Sequence, residues 1–197
     1  MFDMIECIWN KRIKVTLNFE FAGERMKKEI LFQLDMAWKL FEYHCVELDE
    51  AEVMWCKSEN GLQIRRNGDK WIVDWPTTED YAIGPCSIAW TMWHILYWWN
   101  TTLIASKENY IIEKEDVKWP GNIKAVIREI NRCHEEWVAF IESMSEEELL
   151  SDELCHWPFS GQSMATLALW LNSEFMKNVA EIGTCRFLYA SEVNNAS

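Results

Sequence analysis

SIAWTMWHILYWWN, residues 87–100, contains four of the chain's 13 tryptophans and one of its four histidines, with no acidic side chain, lysine or arginine. Apolar residues would cover nearly every face of a helix here, which predicts a helix in the centre of a core. Ser87 can cap its first turn, because a serine hydroxyl accepts from free backbone amides, and we expect the helix to extend to about Ser106. His94 is then either a core residue or the working group of a site.

Three further segments show the apolar spacing of three and four residues that is typical of amphipathic helices. They are residues 24–48, a segment that begins after Trp119-Pro120-Gly121-Asn122, and residues 163 to about 188. Between the last two, Ser145 and Glu148 form the pattern of a capping box, which predicts a short acidic turn.

Residues 60–76 have a different pattern. Apolar and polar residues alternate on both sides of Asn67-Gly68, and this dipeptide tolerates the positive φ of a tight hairpin turn. We therefore predict an all-α fold, a four-helix bundle with a small β-hairpin inserted between helices one and two. Residues 1–197 are expected to form one domain, with residues 1–23 as an N-terminal extension in which Lys14–Phe21 alternates enough to be a strand.

The composition excludes several classes of partner. The 197 residues have a net charge of −13, which repels nucleic acid and anionic membrane surfaces. The sequence contains no uniformly aliphatic stretch of about 20 residues, so it predicts no membrane span. The first residues lack the basic-then-apolar order of a signal peptide. Seven widely spaced cysteines without a C-x-x-C pair favour reduced thiols in a cytoplasmic protein.

Several short motifs resemble the DinB-like four-helix-bundle family, over residues 24–189. The motifs are Trp90-x-x-x-His94 in the second helix, a Trp-Pro-Phe-Ser-Gly-Gln-Ser loop at residues 157–163, and a fourth helix that opens with Leu-x-Leu-Trp-Leu-Asn-Ser-Glu at residues 167–174. The resemblance implies a divalent metal, often zinc or nickel, bound by one histidine of helix two and two histidines of helix four that are four residues apart. It also implies transfer or isomerisation chemistry on a low-molecular-weight thiol.

His94 matches the helix-two ligand, but the helix-four histidines are absent. With the family glutamate aligned on Glu174, the ligand positions fall on Ser173 and Lys177. Serine is a poor ligand, and a protonated lysine repels a cation. We therefore predict no metal and no cofactor. Zinc or nickel would bind only if His94 found other ligands, and His44, His134 and His156 are more simply interpreted as hydrogen-bonded structural residues.

Two interpretations of the neighbouring side chains stay open. Lys177 either points inward, where Glu174 or Glu181 could pair with it, or extends along the helix to the surface. The tryptophans either form core or line a pocket for a flat or cationic ligand; these are Trp90, Trp93, Trp98, Trp99 and Trp170, with Trp75, Trp119 and Trp157 in nearby connections.

The sequence favours a DinB-like protein that binds a small molecule in the bundle cavity and acts in a process that the residues do not identify. The predicted pocket residues are His94, Ser173, Glu174, Lys177, Trp90, Trp98 and Trp170. The alternative is an enzyme, a metal-dependent thiol transferase or hydrolase that uses His94 with non-standard ligands. We expect a homodimer, because bundles of this kind commonly pair.

Overall fold

The computed structural model describes residues 23–77 and 80–196. In chain order the elements are α1 (Gly23–Cys45), α2 (Glu50–Met54), β1 (Ile64–Asn67), β2 (Lys70–Val73), α3 (Ile88–Glu108), α4 (Ile123–Ser143), α5 (Glu146–Leu150) and α6 (Met164–Ala196), with single 3-10 turns at Tyr81–Ile83 and Lys114–Asp116. The predicted all-α fold with one small inserted hairpin is confirmed. The predicted N-terminal extension, with its candidate strand Lys14–Phe21, lies outside the described residues apart from Gly23.

The four long helices pack as a ring in which α1 lies against α6, α6 against α3, α3 against α4, and α4 against α1. α3 is the central helix, as predicted, because almost all of its side chains are buried, including the large rings of Trp93 and Trp99. Ser87 caps it, since its Oγ accepts from the backbone N–H of Trp90 over 3.2 Å. The helix ends at Asn109, whose φ of 51° is left-handed.

α1 and α6 approach each other closely at two points. Asn172 of α6 donates from Nδ2 to the backbone carbonyl of Ile30, over 2.8 Å. At the second point the His44 ring packs against Gly183, where an added Cβ would lie only 2.5 Å from Nε2 of His44. A larger residue at 183 would therefore require the His44 ring to move.

Helix α1 ends at Cys45, earlier than the predicted Leu48, because another helix binds its carbonyl groups. The guanidinium of Arg186 donates to the carbonyl oxygens of His44 and Val46 over 2.9 and 2.8 Å and also to the buried carboxylate of Glu52. Free carbonyls at a helix end favour a cationic partner of this kind. Glu52 belongs to the short helix α2, which the sequence patterns did not indicate.

The hairpin pairs Ile64 with Val73 at its open end and Asn67 with Lys70 at the turn. The turn lies where it was predicted and Gly68 has a φ of 60°, but its two central residues are Gly68 and Asp69, because Asn67 still pairs with Lys70. Hydrogen bonds attach the two ends of the hairpin to the start of α3. The backbone N–H of Ser87 donates to Leu62, and the indole N–H of Trp90 donates to the carbonyl of Asp74 over 2.7 Å. The segment after the hairpin is thereby held over the first turns of α3.

The remaining helices follow their sequence patterns. α4 buries one stripe that includes Ile130 and Trp137. The Ser145–Glu148 capping box begins α5, as predicted. α6 extends beyond the predicted Leu188 to Ala196. Across the described ranges, no helix combines the length and the apolar character that crossing a bilayer requires.

Candidate functional site

A cavity of about 830 Å³ opens between α3, α6, the segment that follows the hairpin and the loop before α6. Its volume is in the usual range for small-molecule sites. Much of its lining is aromatic, with Trp75, Tyr81, Trp90, Tyr97, Trp98, Trp157, Phe159 and Trp170, and its charged residues are Asp80, Lys177 and Glu181. Three predicted pocket tryptophans, Trp90, Trp98 and Trp170, thus lie in the wall of one cavity.

Contacts between the rings hold this wall together. Trp98 stacks on Trp157 with 5.2 Å between ring centroids and meets Trp170 edge to face at 4.9 Å. At the other side, Trp75 meets Tyr97 edge to face at 5.3 Å. Offset and edge-to-face pairs of this kind are the favoured aromatic geometries. Rings from four separate segments therefore form one continuous apolar surface.

The tryptophans divide between core and cavity. Trp93, Trp99 and Trp119 are buried in the core, whereas Trp75 and Trp157, which lie in connections, line the cavity. Both interpretations of the tryptophan pattern are correct for different residues. Helical spacing alone does not distinguish them, because α3 is apolar on every face.

His94 lies at the inner end of the cavity, 6 % exposed, with both ring nitrogens hydrogen-bonded. The Nδ1 atom lies 3.0 Å from Oδ1 of Asn178. Asn178 donates from its Nδ2 to the carbonyl of Glu174, so its Oδ1 is the acceptor and Nδ1 of His94 has the proton. On the other side, the indole N–H of Trp98 donates to Nε2 over 2.8 Å.

Burial keeps His94 neutral. Burial lowers its pKa to about 4, against a smaller opposing effect of the hydrogen bond to Asn178 and with a further lowering by the charge of Lys177. The ring also stacks on Trp90, with 4.7 Å between centroids. A neutral imidazole whose only lone pair accepts from Trp98 has no free position for a proton or a ligand.

Lys177 points inward and lines the cavity, so the inward interpretation is correct. Its Nζ lies 2.6 Å from Oε2 of Glu174, and the two side chains are 39 % and 11 % exposed. Of the two carboxylates within reach in sequence, Glu174 is thus the partner. The Lys177 ammonium offsets the charge of the buried glutamate. Lys177 lines the cavity, whereas Glu174 lies behind the lining.

Ser173 does not belong to the site, which corrects the sequence prediction. It is exposed, and its hydroxyl donates to the carbonyl of Leu169 over 2.9 Å. Trp170, Glu174, Lys177 and Glu181 follow a spacing of four, three and four residues, which keeps them on one helix face. Ser173 is displaced from Glu174 by about 100° around the helix and therefore faces solvent.

Glu181 takes the place in the lining that was assigned to Ser173. It faces the cavity together with Lys177, four residues earlier, and with His94. Burial raises the pKa of the Glu181 carboxyl group, against the lowering effect of the Lys177 charge. The sequence analysis named Glu181 only as a partner for Lys177. The signal that could have placed it in the cavity is that it continues the Trp170–Lys177 face by about one further turn.

The other histidines lie elsewhere. His134 stacks on Trp38 with 3.8 Å between ring centroids, and His44 packs against Gly183. His156 is half-buried in the loop before α6. None of the three lies in the cavity lining.

The cysteines of the described residues are reduced thiols. Cys86 lines the cavity, where burial raises the pKa of its thiol to about 12. Burial also raises the thiol pKa of Cys133 and Cys155, each to about 11. A thiol with such a pKa stays protonated near neutral pH and is a weak nucleophile.

The donor atoms at the cavity do not fit the three-imidazole site that the resemblance implies. The α6 residues that face His94 are Lys177 and Glu181, which provide an ammonium group and a carboxylate. The lone pair on Nε2 of His94 accepts the indole N–H of Trp98. Within residues 23–77 and 80–196, no three or more histidine, cysteine, aspartate or glutamate side chains come together in a group that could hold a metal ion.

Comparisons with known proteins bear on the family alone. No curated protein and no solved structure matches the chain. The model of one protein family, described as the DinB superfamily, matches residues 33–182. This range contains α3, α4, the hairpin, and the Trp90, His94, Lys177 and Glu181 positions of the cavity. The chain belongs to the DinB superfamily.

Proposed function

We propose that the protein binds a small organic molecule in the aromatic cavity and that it does so without a metal. The main support is the combination of a drug-sized cavity with a wall of stacked rings, because large apolar pockets with a few polar groups are the usual form of a ligand site. The charged residues Asp80, Lys177 and Glu181 would orient the ligand.

The metal-free part of the proposal rests on His94. Coordination would require its Nε2 lone pair, which accepts the Trp98 indole N–H at 2.8 Å. Lys177, on the opposite wall, offers a protonated ammonium group, which has no lone pair with which to coordinate a metal ion. The alternative, a metal-dependent thiol transferase or hydrolase, would have to break the Trp98 contact and displace Lys177 from Glu174.

Two observations favour binding over catalysis. His94 is closed off by its two partners, so that it is a poor general base in this geometry. Cys86, the cysteine of the lining, has a thiol pKa of about 12. Neither residue is therefore activated for acid–base or nucleophilic chemistry.

Ligand binding can be tested with indole as a flat neutral probe, by calorimetry and by ligand-observed NMR. Trp157→Ala should weaken indole binding at least fivefold, because it removes a stacked ring from the wall. Trp55→Ala is the matched control, since Trp55 contacts Tyr189 and is not in the lining. Equal binding by wild type and Trp157→Ala, or no binding of indole at millimolar concentration, would contradict the proposal.

The metal-free part has a separate test. Elemental analysis of protein purified without chelator should give far less than one zinc or nickel per chain. Stoichiometric metal that is lost in His94→Ala would instead support the metal-dependent alternative. Homodimer formation and a cytoplasmic location stay predictions, and sedimentation at two concentrations tests the first of them.

A further inference from the structure

The Glu181 carboxylate lines the cavity without a bonded partner. Among the residues that the structure describes, it forms no hydrogen bond or ion pair, and its interaction with Lys177 is through charge alone. The Lys177 ammonium is held by Glu174 at 2.6 Å. Glu181 is exposed in the open cavity, and the surrounding protein still raises the pKa of its carboxyl group, so the carboxylate is available to a ligand that enters the cavity.

The other charges of the lining do not compensate Glu181. Asp80 is the second acidic residue of the wall, and its Oδ1 accepts the backbone N–H of Ala82 over 2.9 Å. Among the described residues of the lining Lys177 is the cation, and it is matched by Glu174. The cavity therefore has an excess of negative charge, in a chain whose net charge is already −13.

The aromatic wall suits a positive charge. The face of an indole or phenol ring attracts cations, and tryptophan does so most strongly. One lining ring already does this within the protein, since Nζ of Lys114 lies 5.6 Å from the centroid of Trp75. Trp157 and Trp170, across the wall, belong to the same ring cluster around Trp98.

We propose that the ligand of this cavity is an organic cation, an amine or quaternary ammonium on a flat apolar body, whose charge pairs with Glu181 and whose body packs on the tryptophan wall. The inference rests on the proposed function, because it names the chemical class of the molecule that the cavity binds. Pairing with Glu181 would give the unpaired carboxylate an opposite charge, and the ring faces attract a cation more strongly than an anion.

Three probes of similar size separate charge from shape. They are benzyltrimethylammonium, its uncharged isostere neopentylbenzene, and the anion benzoate, each measured by calorimetry and ligand-observed NMR. We expect the cation to bind at least tenfold tighter than the neutral isostere, and benzoate to bind weakest. Glu181→Gln should lower the affinity for the cation at least tenfold and leave that for neopentylbenzene within twofold, and Glu181→Asp should restore part of the loss.

A matched control removes one negative charge elsewhere. Glu135→Gln changes an exposed residue of α4 and makes the same change in net charge, so it should leave the affinity for the cation within twofold. Circular dichroism and the thermal midpoint of each variant establish that it is folded.

The outcomes distinguish the two proposals. If neopentylbenzene binds as tightly as the cation, or if Glu181→Gln binds the cation unchanged, the cation inference is wrong while small-molecule binding stands. Tighter binding of benzoate, abolished by Lys177→Met, would assign the cavity to anions. Failure of all three probes and of indole would overturn both proposals.

Discussion

The indole N–H of Trp98 donates to Nε2 of His94 over 2.8 Å, within one turn of the same helix. This contact occupies the lone pair that a metal or a proton would need. The opposite nitrogen donates to Asn178 of α6, so the imidazole joins the two helices that border the cavity. His94 thus serves as a neutral structural connection at the inner end of the cavity.

Replacing Trp98 tests this role directly. Trp98→Phe keeps a ring in the wall but leaves Nε2 as a buried acceptor without its donor, which should cost roughly 1–3 kcal/mol of unfolding free energy. Urea denaturation measures the loss, and ¹⁵N shifts of the His94 ring report the change at Nε2. Trp170→Phe is the control, since Trp170 contacts Trp98 through its ring. An equal loss in both variants would show that ring packing, and not the hydrogen bond, matters here.

The low pKa of His94 predicts a pH dependence of stability. Its pKa is about 4 in the folded protein, against 6.5 for an unperturbed histidine. Between these values the unfolded chain binds a proton that the folded chain does not, so the stabilisation is complete above pH 6.5 and is lost as pH falls toward 4. The shift corresponds to roughly 3 kcal/mol.

His94→Gln isolates this contribution, because glutamine can donate to Asn178 and accept from Trp98 but does not titrate. Urea midpoints from pH 7 to pH 4 should fall less steeply in the variant than in the wild type. His134, whose pKa burial also lowers to about 4, contributes to both curves and cancels in the difference. Parallel curves would contradict the assignment of a neutral, buried His94.

The positions on α6 that face His94 can be tested by building a metal site. Lys177→His with Glu181→His would place two imidazoles one turn apart on the cavity face, opposite His94, and should create zinc binding. Adding Trp98→Phe should tighten it further by freeing Nε2. Equilibrium dialysis and competition with a zinc-sensitive dye measure the affinity.

Ser173→His with Lys177→His is the matched control. Ser173 is exposed and faces away from the cavity, so this pair should gain no more zinc affinity than Lys177→His alone. If the control pair bound zinc more strongly than the 177/181 pair, the side chains at 173 and 177, and not those at 177 and 181, would be the ones that face His94.

The contact between α1 and α6 depends on Gly183. A Cβ at this position would lie 2.5 Å from Nε2 and 2.6 Å from Cε1 of His44, so Gly183→Ala should destabilise the bundle by roughly 1–3 kcal/mol. The double variant with His44→Ala, which removes the obstructing ring, should recover much of the loss. Thermal denaturation compares them. A stabilised Gly183→Ala variant would show that the helices separate without cost.

Helices and turns were predictable because their signals are local. The apolar stripes, the Ser87 and Ser145 caps and the Asn67-Gly68 turn each depend on a few neighbouring residues, and all appear in the structure. The shortening of α1 was not predictable in this way. It depends on Arg186, which is more than a hundred residues distant and donates to the carbonyl groups of His44 and Val46.

Within the site, the sequence pointed to His94, Lys177 and three lining tryptophans, but it assigned Ser173 where Glu181 stands. A spacing of four residues specifies which side chains share a helix face. It does not specify how that helix is rotated against its neighbour, and Ser173–Lys177 and Lys177–Glu181 have the same spacing. Packing of α6 against α1 and α3 decided between them.

The sequence by itself determined the bundle, its hairpin and the presence of a serine and a lysine at positions 173 and 177, because helix periodicity, turn chemistry and side-chain identity are local properties of the chain. Only the tertiary structure decided that Trp98 occupies the lone pair of His94, that Lys177 pairs with Glu174, and that Glu181 faces the cavity unpaired. These are relations between side chains whose directions follow from the relative rotation of packed helices, and that rotation is a property of the whole core.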